Sequence, residues 1–244
     1  MNLKNYKLSP KTSSNNEKFN VYFSNTRSVV NKIIDLNSSL MQFNIDLLIL
    51  NETWLSDLIP DNFINDNYIM FRKDRDKRGG GVLIAVKKCY KCVVKSFDNK
   101  FEEIWVEIFI DRKRFLFGTL YRPPNFTIDF KSYFNDRFES IDSNFYDLIC
   151  FLGDLNINFI KYDNILCKEA LHIRDVMHLH GMHQLIETPT YSVVNPKSIL
   201  DLFFTNKKDL IVDCNVIPNI STTCDHKSIC FCVKITKPVL EPQK

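Results

Sequence analysis

Phe-Tyr-Asp-Leu-Ile-Cys-Phe-Leu-Gly-Asp-Leu-Asn, residues 145–156, decides how this chain is read. Its first eight residues are apolar except for Asp147, as in a strand buried on both faces. The run then stops at Gly153-Asp154-Leu155-Asn156. The same device recurs along the chain. Ile-Asp-Leu-Leu-Ile-Leu (45–50) runs into Asn51-Glu52-Thr53, and Phe-Asn-Val-Tyr-Phe-Ser (19–24) ends at Asn25. Asp201 sits inside Ile-Leu-Asp-Leu-Phe-Phe-Thr (199–205), and Asp225-His226 stands just before Ile-Cys-Phe-Cys-Val-Lys-Ile (229–235). Strands that end in polar groups can bring those groups to one rim of a rigid scaffold, where sites are commonly placed.

Between these strands the pattern alternates. Val29, Val30, Ile33, Ile34, Leu40 and Met41 predict a helix within residues 28–43. From Gly80 the text turns to strands, GVLIAV, CVVKSF, EIWVEIFI and FLFGTLY, whose polar turns suggest antiparallel hairpins. Phe130, Tyr133, Phe134, Phe138 and Ile141 mark an amphipathic helix, and Leu166, Ala170, Ile173 and Met177 another that stops at Gly181. No internal repeat or Pro/Gly/Ser-rich linker divides the chain. The expectation is an N-terminal tail over residues 1–18, one domain over 19–236 and a C-terminal tail over 237–244.

Composition excludes several classes. With 45% apolar and 25% charged residues, the chain affords a sizeable core and is not globally disordered. A net charge of +3 does not by itself announce a nucleic-acid binder. The polar first twenty residues do not read as a secretory leader, and no apolar run is long enough to span a bilayer. The eight cysteines are therefore read as reduced thiols. Cys89 and Cys92 form a lone CxxC, which lacks the matched second pair that a zinc site wants.

If Glu52, Asp154, Asp201 and Asp225 converge, each pair of charges at ~4 Å repels by ~4 kcal/mol at an effective dielectric of about 20. A cation would relieve that repulsion, and oxygen donors point to a hard one, magnesium (Mg2+) or manganese (Mn2+). Taken singly, a carboxylate after a strand is more often a solvated turn or a helix cap. Asp201 is different, because a carboxylate flanked by Leu200 and Leu202 needs a partner. His226 is the expected one, since an aspartate fixes an imidazole's tautomer and stabilises its protonated form.

The ordered set Asn25, Leu-Asn-Glu-Thr-Trp (50–54), Tyr-Arg-Pro-Pro (121–124), Gly-Asp-Leu-Asn (153–156), Leu-Asp-Leu-Phe (200–203) and Asp225-His226 resembles the endonuclease/exonuclease/phosphatase superfamily. Within it, the set is similar to the apurinic-type endonuclease domain of LINE-like non-LTR retrotransposons of the Jockey and chicken-repeat group. Asn-Thr-Arg-Ser-Val (25–29) with Lys32, and Arg78-Gly79-Gly80-Gly81-Val82, carry the same likeness. The resemblance implies an α/β fold, a four-layered sandwich of two mixed, mostly antiparallel sheets flanked by helices. It implies that Glu52 binds the metal with Asn25 and Asp225 close by, and that Asp154 orients or deprotonates the attacking water. Asn156 would steady the phosphate, Tyr121 would contact the phosphate or leaving oxygen, and His226 with Asp201 would stabilise transition-state charge. The family's nick leaves a 3′-hydroxyl that primes reverse transcription. One departure is Cys224, which stands where relatives carry Ser; the other is Lys227.

For DNA contact, Arg72, Lys73, Arg75 and Arg78 belong to a basic segment before the triple glycine, and Arg122 follows Tyr121. That segment is expected on a turn that tracks phosphates with little sequence readout; a solvated hairpin is the equal alternative. Lys87, Lys88, Lys91 and Lys95 either extend the patch or coat an edge strand. His172, His178, His180 and His183 are read as surface or structural residues. The partners expected are DNA and a reverse transcriptase region or element RNA in a longer parent protein, with no membrane, for a monomer acting in the nucleus. Two alternatives stand beside the nicking enzyme. One is a phosphoesterase of the same fold acting on another ester, and the other is a silent DNA- or protein-binding module.

Overall fold

A computed structural model describes residues 18–75, 79–97, 101–124, 130–161, 165–191, 197–221 and 223–235. Both expected tails fall almost wholly outside these residues, and so does Arg78. Two sheets of six strands each form the centre. The first sheet contains β1 (Lys18–Asn25), β2 (Leu47–Asn51), β3 (Tyr68–Lys73), β4 (Val82–Lys87), β11 (Ile211–Ile217) and β12 (Ser228–Lys234), in the order β11-β12-β1-β2-β4-β3. The second contains β5 (Lys91–Lys95), β6 (Glu102–Ile110), β7 (Lys113–Tyr121), β8 (Leu148–Asp154), β9 (His183–Gln184) and β10 (Asp201–Thr205), in the order β5-β6-β7-β8-β10-β9. The β1–β2 and β7–β8 pairs are parallel and the others antiparallel, so both sheets are mixed as expected.

The sheets pack face to face through aromatic rings. Phe203 of β10 stacks on Phe231 of β12 with centroids 4.1 Å apart, and Phe19 of β1 meets Phe117 of β7 at 5.9 Å. Helices α1 (Ile33–Gln42) and α2 (Asp61–Ile64) cover the outer face of the first sheet, where Leu36, Leu40 and Ile64 join Tyr22, Leu48 and Leu83. Helices α3 (Phe130–Glu139) and α4 (Lys168–Leu179) cover the second, packing Phe134, Phe138 and Met177 near Trp105 and Phe151. Four layers result.

Period-two alternation decides which side each strand residue serves. Glu103 points outward from β6, where it meets Arg137 of α3 at 2.9 Å, a buried pair that anchors the helix. Its neighbour Glu102 points to the other side and reaches Arg75.

Three sequence expectations change. The strands from Gly80 onward are not one run of hairpins, because β4 lies in the first sheet and β5 in the second; only β5–β6–β7 is a meander. Strand β11 was not expected, since Asp213 and Asn215 interrupt its apolar residues. Asp213 has a φ of 54° and the register with β12 shifts between Val212 and Asn215, so these residues form a bulge and not a turn. Arg72 and Lys73 close β3 instead of standing on a turn, while Lys91 and Lys95 coat the edge strand β5.

Candidate active site

Strand polarity places the polar ends of both sheets on one side of the molecule. In the second sheet, Glu102 pairs with Tyr121, Tyr121 with Asp154 and Asp154 with Asp201, so four polar side chains stand abreast in one row. In the first sheet, β12 begins and β1 and β2 end at the same level, and Val82 at the start of β4 lies opposite Asn51 and Lys73. The rim of this sheet therefore presents His226, Asn25, Glu52 and Arg75 in spatial order.

The two rows meet residue against residue. Nδ1 of His226 lies 2.8 Å from Oδ2 of Asp201. The side-chain amide of Asn25 donates to Oδ2 of Asp154 at 2.8 Å and to Oε1 of Glu52 at 3.0 Å. The Tyr121 hydroxyl hydrogen-bonds Glu52. Arg75 completes the ladder with an ion pair to Glu102.

Backbone strain marks the rim. Glu52, Trp54 and Asn156 have φ of 50°, 53° and 51°, in a region that side-chain-bearing residues seldom occupy. Neighbours on both sides hold the strained turn at Glu52: the Ser28 N–H donates to the Glu52 carbonyl at 2.8 Å, and those of Thr53 and Trp54 donate to Gly81 and Gly80 at 3.2 and 3.0 Å. Gly81 must be a glycine, because its φ is 85° and a Cβ would lie 2.5 Å from Oγ1 of Thr53. Gly153 is equally constrained, since a Cβ there would lie 2.4 Å from the Leu120 carbonyl oxygen.

Electrostatics follow from burial and proximity. Asp154 is pushed up to about 7, first by burial and then by the Asp201 carboxylate beside it; His226, the Asn156 N–H and Asn25 offset part of this. Burial works against a charge on His226, but Asp201, with Asp154 and Glu52 behind it, outweighs burial and raises the imidazole to about 9. Burial and the charges of Glu52 and Asp154 keep Tyr121 protonated by raising its pKa further.

Of the expected residues, Asn25, Glu52, Tyr121, Asp154, Asp201 and His226 come together. The side-chain amide of Asn156 donates to the Arg122 carbonyl at 2.8 Å, and its N–H to Oδ1 of Asp154 at 3.0 Å, so it braces Asp154. Asp225 lies at the edge, ion-paired with Arg27. Three of the basic residues are turned elsewhere: Arg72 to Ile59, Ser56, Asp61 and Asp74, Lys73 to the Phe101 carbonyl, and the buried Arg122 to the Leu155 carbonyl. The thiol of Cys224 donates to the Asn25 carbonyl at 3.2 Å, as a serine hydroxyl would.

Other positioning residues lie behind these. Asn51 bridges the sheets, accepting the Asp154 N–H at 2.9 Å and donating to Thr119 at 2.9 Å. Asn219 donates to Ser24, Asn25 and His226, and Oγ1 of Thr190 accepts the N–H of Asp201 at 3.1 Å. Asn51 and Thr190 lie inside conspicuous segments of sequence; nothing local distinguishes Asn219.

The donor set suits a hard divalent cation. Oxygen atoms of Asp154 and Asp201 and a nitrogen of His226 lie within 4.8 Å of one another, and Oδ1 of Asp201 is buried with no hydrogen-bond partner. Asp201 holds His226 through Oδ2 and keeps Oδ1 unpartnered, while Glu52 and Asp154 converge on one amide group, so all three carboxylates can offer an oxygen to an ion. No thiol points into this set.

Residues 115–230 match the profile of a family described as Endonuclease-reverse transcriptase. No curated protein matches the chain. Among solved structures, the chain is similar to the endonuclease domain of TRAS1, a telomere-specific non-LTR retrotransposon, at a TM-score of 0.71 and 16% identity over 90% of this chain and 100% of that one. It is also similar to the AP endonuclease LMAP of Leishmania major, at 0.70 and 14% over 89% and 88%. A third match is an endonuclease/exonuclease/phosphatase family protein of Leptotrichia buccalis, at 0.62 and 14% over 89% and 100%. Residues 115–230 are thus similar in sequence to the endonuclease-reverse transcriptase family, and the chain as a whole shares the fold of these solved structures.

Proposed function

We propose that this protein is a magnesium-dependent endonuclease that nicks DNA and leaves a 3′-hydroxyl for reverse transcription in a non-LTR retrotransposon. The observation that carries this reading is the cross-sheet ladder, in which three carboxylates, a phenol, an amide and an imidazole share one rim. The family description and the similarity to a retrotransposon endonuclease domain support DNA as the phosphodiester.

Glu52 and Asp154, with Asn25 beside them, would hold the ion. When bound, a divalent cation supplies Lewis-acid stabilisation of charge on the phosphate oxygens. Asp154, raised to about 7, takes the proton of the attacking water at its carboxylate, with Asn25 and the Asn156 N–H fixing its orientation. His226 is held by Asp201 through Nδ1, which leaves Nε2 to donate to a phosphate oxygen as charge develops. The Tyr121 hydroxyl, kept protonated, donates to Glu52 and so would orient that carboxylate toward the ion.

Supercoiled plasmid incubated with the protein and magnesium tests the reading. Open circles should form with magnesium, and not with EDTA or with the Asp154→Ala variant. Nicking that persists in Asp154→Ala would end this assignment.

A further inference from the structure

Two arginines at opposite ends of the rim share an arrangement that the nicking reaction does not explain. Arg75 follows β3 and crosses to Glu102, with its guanidinium 5.7 Å from the centre of the Tyr121 ring. Glu102 uses one oxygen for Arg75 and the other to accept the Gly81 N–H at 2.6 Å, so the arginine and the glycine turn are held together. At the other end Arg27, with a φ of 41° and a side chain 48% exposed, is paired with Asp225. Lys32 secures that turn by donating to the carbonyls of Thr26 and Arg27.

A guanidinium offers five N–H donors in a rigid fork, so one carboxylate orients it and leaves donors for a second anion. Arg72 spends its donors on the protein's own carbonyls and carboxylates, Lys73 reaches the Phe101 carbonyl, and Arg122 is buried against the Leu155 carbonyl. Glu52 and Asp154 lie between Arg27 and Arg75 along the rim. The substrate is a chain of evenly repeated phosphates, so a group cut at the centre has a phosphate on either side.

Building on the endonuclease reading, we propose that Arg27 and Arg75 clamp the phosphates flanking the scissile one. Asp225 and Glu102 orient them, and the cut strand crosses the rim from β12 and β1 toward β3. Asp225 then acts on substrate through Arg27, as a positioning residue.

The test uses the full chain in EDTA, so that binding is read without cleavage. Fluorescence anisotropy of a labelled duplex is followed against NaCl concentration. Each phosphate contact contributes about 0.9 to the slope of log affinity against log salt. Arg27→Gln and Arg75→Gln should each lower the slope by about one contact, and the double variant by about two. Arg27→Lys and Arg75→Lys should keep it, and Lys113→Gln, at the far end of β7, should match the parent. On a duplex carrying the parent's mapped nick site, a methylphosphonate on one side should remove the Arg27→Gln penalty, and one on the other side the Arg75→Gln penalty. Unchanged slopes in both glutamine variants, or both arginines coupling to one phosphate, would overturn the clamp. A parent that shows these slopes but never nicks with magnesium would refute the endonuclease, and with it a scissile phosphate to flank, and leave Arg27 and Arg75 as two phosphate contacts of a DNA-binding rim.

Discussion

Asn51 and Asp154 belong to different sheets, and the side-chain oxygen of Asn51 accepts the backbone N–H of Asp154 at 2.9 Å. The same amide donates to Thr119 at 2.9 Å, so one buried residue sets the depth at which the two rims meet. Asn51→Ala leaves two buried groups unsatisfied, each worth roughly 1–3 kcal/mol. Urea unfolding should show a loss of about 2–4 kcal/mol, and kcat for nicking should fall with KM little changed. A variant as stable as its parent would remove Asn51 from this role.

Asp201 and His226 give a pH signature. In the metal-free protein, NMR titration of His226 should report a value near 9, falling in Asp201→Asn, where only Asp154 and Glu52 remain to oppose burial. The folded value lies above that of an unfolded histidine, about 6.5. The pair's stabilisation is therefore complete below about 6.5 and lost as pH rises through about 9. The melting-temperature gap between parent and Asp201→Asn should be widest at pH 6 and narrow toward pH 10.

Metal binding is expected to be visible without turnover. Saturating magnesium should raise the melting temperature of the parent, since a ligand bound only by the folded state stabilises it by about 2.7 kcal/mol at a hundredfold excess over Kd. Glu52→Gln keeps the shape but removes a charge, and should lose most of that shift. An equal shift in both proteins would place the ion elsewhere.

Gly81→Ala sets a Cβ 2.5 Å from Oγ1 of Thr53 at a φ of 85°. A strain of about 1–3 kcal/mol is expected, and because Thr53 and Trp54 bond to this turn, the position of Glu52 should suffer too. Thermal unfolding and nicking rate should fall together; unaltered values would show that the turn is not rigid.

Thiol labelling tests the reading of the cysteines. Cys89 and Cys167 are exposed, whereas Cys150 and Cys230 are buried and burial pushes Cys230 up to about 12. Ellman's reagent should label Cys89 and Cys167 quickly in the native protein, and Cys150 and Cys230 only after unfolding. Prompt native labelling of Cys150 would contradict the packing of β8.

Much of the architecture could be read locally. Apolar runs such as residues 45–50 and 145–152 announce buried strands, and the residues just beyond them carry most of the rim, because the alternation of a strand and its end are properties of the nearest neighbours. The pairing of Asp201 with His226 was also legible, since a carboxylate inside an apolar strand demands a partner. Strand β11 escaped because a bulge and a turn draw on the same residues, Asp213 and Asn215.

What tertiary structure alone decided is who faces whom. The charge run at 72–78 shows five bases of equal standing, but only packing sends Arg72 to the carbonyls of Ile59 and Ser56 and Arg75 across to Glu102. Nothing near Arg27 foretells Asp225, nor anything near Asn219 its hold on Asn25 and His226. Alternation along a strand settles which face a side chain takes; its partner on a second sheet depends on strand order and on the register between the sheets, which are set by contacts distant in the chain.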